Sequence, residues 1–498
     1  MCFIDYTKAY DLLDRTAVYT KMIKNGVSSK YVNIIKSFYA HMKLSVKNDT
    51  EHRQFCSNFG LLQGEVLSPM LFSLFVNDLP DNLSDLTVGT PVQNILMKLL
   101  MFADDMSIFS EKREGLQTGI DSLYKYCKKW GITVNIDKTK VVVFKKSGRM
   151  AASDTWSYNG SNLEVVSQFK YLGCELSSSG AFHMCVNSLT NSARRGLFAL
   201  KKYMYSNPEI LPELQIQLFK TMISPILMYC SEIWGLYNFD RIETFYLSFL
   251  KNILYVKKST PNCFVYGELG LYPIKIEIQM RVVKFWLKII NQSMTYNNYT
   301  KKVYVTLLQI SILHPTKETW VTKLKGLLDR CGMGDYFKNQ RVENERYFLT
   351  IMKQRMYDMY LQEWLGKVNE TSDGRLYKHV KEKFEFEQYL NMPNKMFRIA
   401  ITKVRMSSHI FLIERGRWAN INREDRKCTE CRCIEDEYHV LIECPRYREE
   451  RKGCLSHALK TRPSMFEFIK YIKCVNEADC NKVGRLCARV QKEYRKYV

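Results

Sequence analysis

The stretch MFADDMSIF (101–109) sets two adjacent carboxylates, Asp104 and Asp105, inside an otherwise apolar run. An ionised carboxylate in an apolar setting is costly, and a like-charged neighbour raises the cost unless a cation compensates. The pair therefore either reaches solvent or holds metal. Leu99, Leu100 and Phe102 before it, and Ile108 and Phe109 after it, predict two short strands joined at the Asp-Asp. Asp5 ends another apolar strand signal, Phe3-Ile4, and can join the pair across a sheet. Three carboxylates on one sheet edge make a two-metal centre. Two divalent cations would neutralise the cluster, activate an attacking oxygen and stabilise a leaving one in an in-line phosphoryl displacement.

The 498 residues, 46% of them hydrophobic, suffice for a real core and for roughly two to four domains. Seventy-four Lys and Arg against fifty-one Asp and Glu leave a formal charge of +23, which favours a polyanionic partner such as nucleic acid. No run approaches the ~18 apolar residues that span a bilayer, so no membrane partner is expected. The start MCFIDYTKAYD lacks the basic and apolar regions of a signal peptide. The chain reads as intracellular, in nucleus or cytoplasm. Its sixteen cysteines, eight of them in the last 71 residues, then argue for thiols or metal ligands and against a disulfide framework.

Strand signals concentrate early, at CFID (2–5), NILMKLLMFA (94–103) and KVVVFK (140–145), whereas 12–40 and 116–130 carry helical spacing. Beyond about residue 185 the pattern is almost wholly helical. Leu214, Leu218, Phe219, Met222 and Ile223 predict a core-facing stripe before Pro225. There is no short-period repeat or low-complexity tract.

FIDYTKAYD (3–11), LLQGEVLSPMLFSLFVNDL (61–79), FADD (102–105), GITVNIDKTKVVVF (131–144) and FKYLG (169–173) resemble, in order and spacing, the successive palm motifs of reverse transcriptases of non-LTR, LINE-type retrotransposons. The resemblance implies RNA-directed DNA synthesis, with an RNA template, a DNA primer or target DNA and dNTP as partners and two Mg²⁺ ions as cofactors. It assigns the catalytic metals to Asp5, Asp104 and Asp105, and leaves Asp11 structural. Tyr10 inherits the steric gate against ribose 2′-hydroxyls, its alternative being a core-edge aromatic. Gln63 and Gly64 resemble the pair lying along template and nucleotide, where Gly permits close backbone approach. Glu65 departs from the family's basic or polar residue there and puts a negative charge near the nucleotide path. Lys138 and Lys140 resemble the motif whose Lys protonates departing pyrophosphate, with a charged strand start as the alternative. FKYLG resembles the primer-grip hairpin. Only four residues precede Asp5, where the family carries fingers that grasp the triphosphate, so weak or absent synthesis by an N-terminally truncated chain is expected.

Far downstream, CTECRCIEDEYHVLIECP (428–445) spaces Cys428, Cys431, His439 and Cys444 as zinc ligands, with Cys433 an alternative second thiolate expected to turn away. The segment resembles the knuckle that follows the polymerase in LINE-type elements. It would hold one structural Zn²⁺, which would supply most of the stability of a short, polar segment with little core of its own. Arg405, Arg415, Arg417, Arg423 and Arg426, with Trp418 among them, read either as phosphate contacts or as a solvated basic face.

The expected fold is α+β: a partial right-hand palm with its hairpin over 1–175, a helical thumb-like region over 176–300, a helical linker over 301–394, a CCHC knuckle region over 395–452 and a helical basic tail over 453–498. Non-catalytic, zinc-containing nucleic-acid binding is the alternative to polymerisation, with a host-adopted interaction protein a third reading.

Overall fold

The computed structural model describes residues 1–40, 42–47, 52–83, 87–146, 153–237, 239–293, 298–371, 374–474 and 476–497. The fold is mixed α+β. The chain divides into two compact units, one of residues 1–185 with 293–314 and the other of 186–292 with 315–498.

The first unit is built on β1 (Cys2–Ile4), α1 (Arg15–Lys24), α2 (Ser29–Ala40), β2 (Lys43–Lys47), β3 (His52–Cys56), α3 (Ser68–Val76) and α4 (Leu79–Asn82). There follow β4 (Thr90–Val92), β5 (Ile95–Met97), β6 (Leu99–Phe102), β7 (Asp105–Ile108), α5 (Arg113–Trp130) and β8 (Lys140–Val141). Strands β9 (Trp156–Tyr158), β10 (Ser161–Val165), β11 (Gln168–Tyr171) and β12 (Cys174–Ser177) complete it, with the helix Tyr299–Leu313 alongside. Six strands form one sheet in the order β6-β7-β1-β8-β10-β9.

The sheet is covered on both faces at its centre, which is why β1 reads as an unbroken apolar run. Cys2 and Ile4 join the helix-side core with Val18, Phe72, Phe75 and Ile120. Phe3 points the other way and stacks on Phe169 of the β11–β12 hairpin, ring centroids 4.4 Å apart. Full burial of a ring like Phe3 stabilises by roughly 1.5–3 kcal/mol. The β6 strand is an edge, so its apolar residues are not all covered: Leu100 is 40% and Phe102 66% exposed. Burial for the whole MFADDMSIF run is thus confined to β7, where Met106, Ser107 and Ile108 are inside.

The second unit is helical, as its periodicity predicts, but the stripe before Pro225 is rotated from expectation. In the helix Pro212–Met222 the buried positions are Pro212, Ile216 and Phe219, followed by Ile223, whereas Leu214 and Met222 are about half exposed. The 4, 3, 4 spacing of that buried set gives one helix face, and Phe219 stacks on Phe249 there at 4.3 Å. No helix among the described residues is long and apolar enough to cross a membrane.

Candidate functional site: a carboxylate edge and a thiol–imidazole cluster

β1 and β7 run antiparallel with Cys2 opposite Ile108, Phe3 opposite Ser107 and Ile4 opposite Met106. One more step in that register brings Asp5 opposite Asp105, where facing Cβ atoms lie roughly 4.5–5.5 Å apart. Phe102 pairs with Asp105, leaving Ala103 and Asp104 as a two-residue hairpin loop. Ala103 has φ +54°, the left-handed conformation that a tight two-residue loop requires at its first position and that a non-glycine residue adopts at a cost. The loop thus delivers Asp104 beside Asp105 at the edge where β1 ends.

The backbone of Asp5 is held from the 131–140 segment: Asn135 N–H donates to its carbonyl at 2.7 Å, and its own N–H donates to Thr139 Oγ1 at 3.3 Å. The electrostatics record the crowding. Burial, then the charges of Asp104 and Asp5, raise the Asp105 carboxyl above its ordinary value. Lys138 Nζ lies 3.8 Å from Asp5 Oδ2, the one ion pair to these carboxylates among the described residues. Lys140 does not join it. Parallel pairing of β8 with β10 sets Lys140 across from Glu164, and the two form an ion pair at 2.5 Å.

Tyr10 stacks on Phe72 of α3 at 5.0 Å, and its phenol is raised by burial and by the nearby Asp104 charge. Gln63 Nε2 donates to Asp11 Oδ1 at 3.4 Å, and Gly64 takes φ +88° with open space where a Cβ would stand. The Glu65 carboxylate is held on its own unit's helices: Tyr39 O–H at 2.8 Å and Ser68 Oγ at 3.0 Å both donate to it. Sequence reasoning missed Arg15 and Gly60. Arg15 is buried and donates to the carbonyls of Ser57, Phe59 and Gly60 at 2.7–2.9 Å, fixing the approach to Gln63. A Cβ on Gly60 would meet the Asp11 carbonyl oxygen at 2.5 Å. Neither residue carries a local motif, because each acts on a partner about 45 positions away.

Behind the edge, β11 and β12 close through Leu172 (φ +46°) and Gly173 (φ +79°), a type I′ signature. Tyr171 packs on Phe3 at 5.2 Å, and its phenol is raised by burial and by Asp105, so the hairpin lies against the carboxylates.

In the second unit, ligand atoms of Cys428, Cys431, His439 and Cys444 all lie within 4.8 Å of one another. The Cys444 sulfur is 3.9 Å from those of both Cys428 and Cys431. A tetrahedron with ~2.3 Å Zn–S arms has an edge of about 3.8 Å, so the set fits a zinc knuckle. A π turn over His439–Glu443 brings the imidazole and Cys444 to the same side, the Cys444 N–H donating to His439 O at 2.8 Å. Burial, then the charge of neighbouring Cys428, push the Cys444 thiol up to about 12, whereas at Cys428 burial is outweighed by hydrogen bonds from the Cys431 backbone and His439, which hold that thiol below its ordinary value.

Two expectations change here. Cys433 is not turned away: its sulfur lies 3.1 Å from His439 Nδ1. Nor is the segment without a core, since Val440, Leu441 and Tyr447 are buried and Tyr447 stacks towards Tyr494 of the helix Glu477–Tyr494. The arginines also part company. Arg405 is fully buried on Glu268, Arg426 donates to the carbonyls of Ile413 and Ile421, and Arg417 pairs with Glu414. Arg415, Arg423 and Trp418 remain exposed.

Residues 1–176 match the family described as reverse transcriptase (RNA-dependent DNA polymerase). The chain is 27% identical over 243 residues to the RNA-directed DNA polymerase from mobile element jockey of Drosophila funebris, covering 47% of this chain and 26% of that protein. It is 28% identical over 190 residues to the retrovirus-related Pol polyprotein from type-2 retrotransposable element R2DM of Drosophila melanogaster, covering 36% and 18%. To the Pol polyprotein from type-1 retrotransposable element R2 of Popillia japonica it is 27% identical over 237 residues, covering 45% and 37%. The matched regions thus span between a fifth and two fifths of these relatives.

Proposed function

We propose, from the reverse transcriptase domain that residues 1–176 form, that this chain is the palm-to-knuckle part of a non-LTR retrotransposon RNA-directed DNA polymerase. The observation that carries the reading is the β1–β7 register, which sets Asp5 against Asp105 with Asp104 on the adjoining loop. Asp5, Asp104 and Asp105 are the residues that would hold two Mg²⁺ ions, which when bound lower the pKa of the primer 3′-hydroxyl and offset charge at the α-phosphate.

The remaining roles fall to side chains already placed. Tyr10, wedged on Phe72 beside Asp104, limits the room at the sugar 2′ position. Gln63 and Gly64 offer a polar edge and bare backbone to template and nucleotide. The β11–β12 hairpin holds the primer end against the carboxylates. Lys138 faces the leaving pyrophosphate; with Lys140 paired to Glu164, the cationic hold on a triphosphate is thin, so incorporation is slow. At the knuckle, Cys428, Cys431, His439 and Cys444 would hold one Zn²⁺ through four protein ligands, which suits a folding role and not a catalytic one.

The test is Mg²⁺-dependent addition of dNTP to a DNA primer on an RNA template. Slow incorporation that Asp104→Asn abolishes, with template binding retained, supports the reading. Template binding without incorporation in either protein favours the non-catalytic alternative.

A further inference from the structure

Within the second unit lies a groove of about 1300 Å³ that none of the roles above uses. Sites for drug-sized molecules occupy roughly 300–1,000 Å³, so this one suits a length of polymer. Its walls are the helices Ile274–Ile290 and Glu345–Glu370. The first contributes Arg281, Lys284 and Lys288, spaced 3 and 4 along one stripe. The second contributes Arg346, Thr350, Lys353 and Tyr357, again 4, 3 and 4 apart on one face. Lys220 adds a sixth cation, against the two carboxylates Glu232 and Glu277. Lys220, Lys284, Lys288, Arg346 and Lys353 are exposed, and none meets a carboxylate within 4 Å among the described residues.

Cations left without counter-ions along two facing stripes match the spacing problem of a phosphodiester chain. The groove also has an aromatic wall. Tyr272 and Tyr357 stack with centroids 3.7 Å apart and planes 7° from parallel, and the Lys353 ammonium lies 5.3 Å from the Tyr357 centroid. Leu271, Met280 and Phe285 extend the apolar floor. A duplex hides its base faces and would leave this wall and floor unused, whereas an unpaired strand offers phosphates to the cations and bases to the rings.

We propose that this groove binds an extended single strand of nucleic acid. The identity of the polymer rests on the polymerase reading; the charge and the aromatic wall are observed independently of it.

The test uses the full chain, a fluorescein-labelled oligouridylate and fluorescence anisotropy without dNTP or Mg²⁺. Lys284→Ala/Lys288→Ala/Lys353→Ala removes exposed side chains only, so its thermal unfolding should match the parent. Its affinity should fall at least about tenfold, and the slope of log affinity against log salt should become shallower by about 2, at ~0.7 per lost contact. A 4-thiouridine strand should crosslink to peptides containing Tyr272 or Tyr357. Unchanged affinity and slope, or crosslinks confined to other regions, would overturn the proposal. So would equal, lysine-dependent binding of a duplex of the same length. Failed primer extension with the lysine effect intact counts against the polymerase reading alone, and the converse counts against the groove alone.

Discussion

Arg405 and Glu268, 137 residues apart in sequence, form an ion pair with no solvent exposure on either side chain, Nε to Oε1 at 2.7 Å. Arg405 also meets Glu387 at 2.9 Å, and Tyr389 O–H donates to Glu268 at 2.7 Å. Coulombic attraction to Glu268 and Glu387 keeps the guanidinium charged against the cost of burial. Removing one partner leaves the other charge buried and alone. Arg405→Met should therefore destabilise the second unit by roughly 3–5 kcal/mol in chemical denaturation. Arg423→Met, at an exposed site, should stay within ~0.5 kcal/mol. Equal effects would refute the assignment.

At the knuckle, Cys444→Ser should release the single zinc ion, read as metal content, and open the 428–444 turns to protease. The helices Lys395–Arg405 and Glu477–Tyr494 pack on each other and should remain protected. Cys433 rests on His439 outside the four-ligand set and is placed to orient the ring. Cys433→Ser should keep one zinc with affinity reduced by about 10–100-fold, the usual effect of losing a ligand's supporting contact. Loss of stoichiometric zinc would instead make Cys433 a ligand.

The Ala103 loop stores strain. A left-handed residue with a Cβ costs roughly 1–2 kcal/mol, and glycine returns part of that to the unfolded chain's entropy. Ala103→Gly should leave the first unit as stable or up to ~1 kcal/mol more stable, while Ala103→Val, with a branched Cβ, should destabilise it by more than ~1 kcal/mol. A tolerated valine would contradict the loop geometry.

Much of this was legible in the sequence, and the exceptions share a cause. The FADD turn, the early strands and the Cys-x2-Cys spacing are local patterns, and local patterns determine hairpins and knuckle turns. Arg405 reads like its four neighbours in a basic stretch, and only the distant Glu268 makes it a buried pin. Glu65 reads as a free charge until Tyr39 and Ser68 are seen to donate to it. Lys140 reads like Lys138 until the parallel partner β10 supplies Glu164. In each case the deciding contact comes from another element, and periodicity carries no information about it.

The central claim is that Asp5, Asp104 and Asp105 form one cation site, and their mutual repulsion makes it testable without turnover. Because the Asp105 pKa is raised in the folded state, its protonated form is favoured there. Its contribution to stability is present below the unfolded value near ~3.9 and is lost as pH rises through the folded value, leaving a penalty at neutral pH. The most direct measurement is thermal unfolding at pH 7 of the parent and Asp104→Asn proteins, each with and without Mn²⁺. The account predicts that the metal-free variant is at least as stable as the parent, and that Mn²⁺ raises the unfolding temperature of the parent but not of the variant. A less stable metal-free variant, or the same Mn²⁺ shift in both proteins, would contradict it.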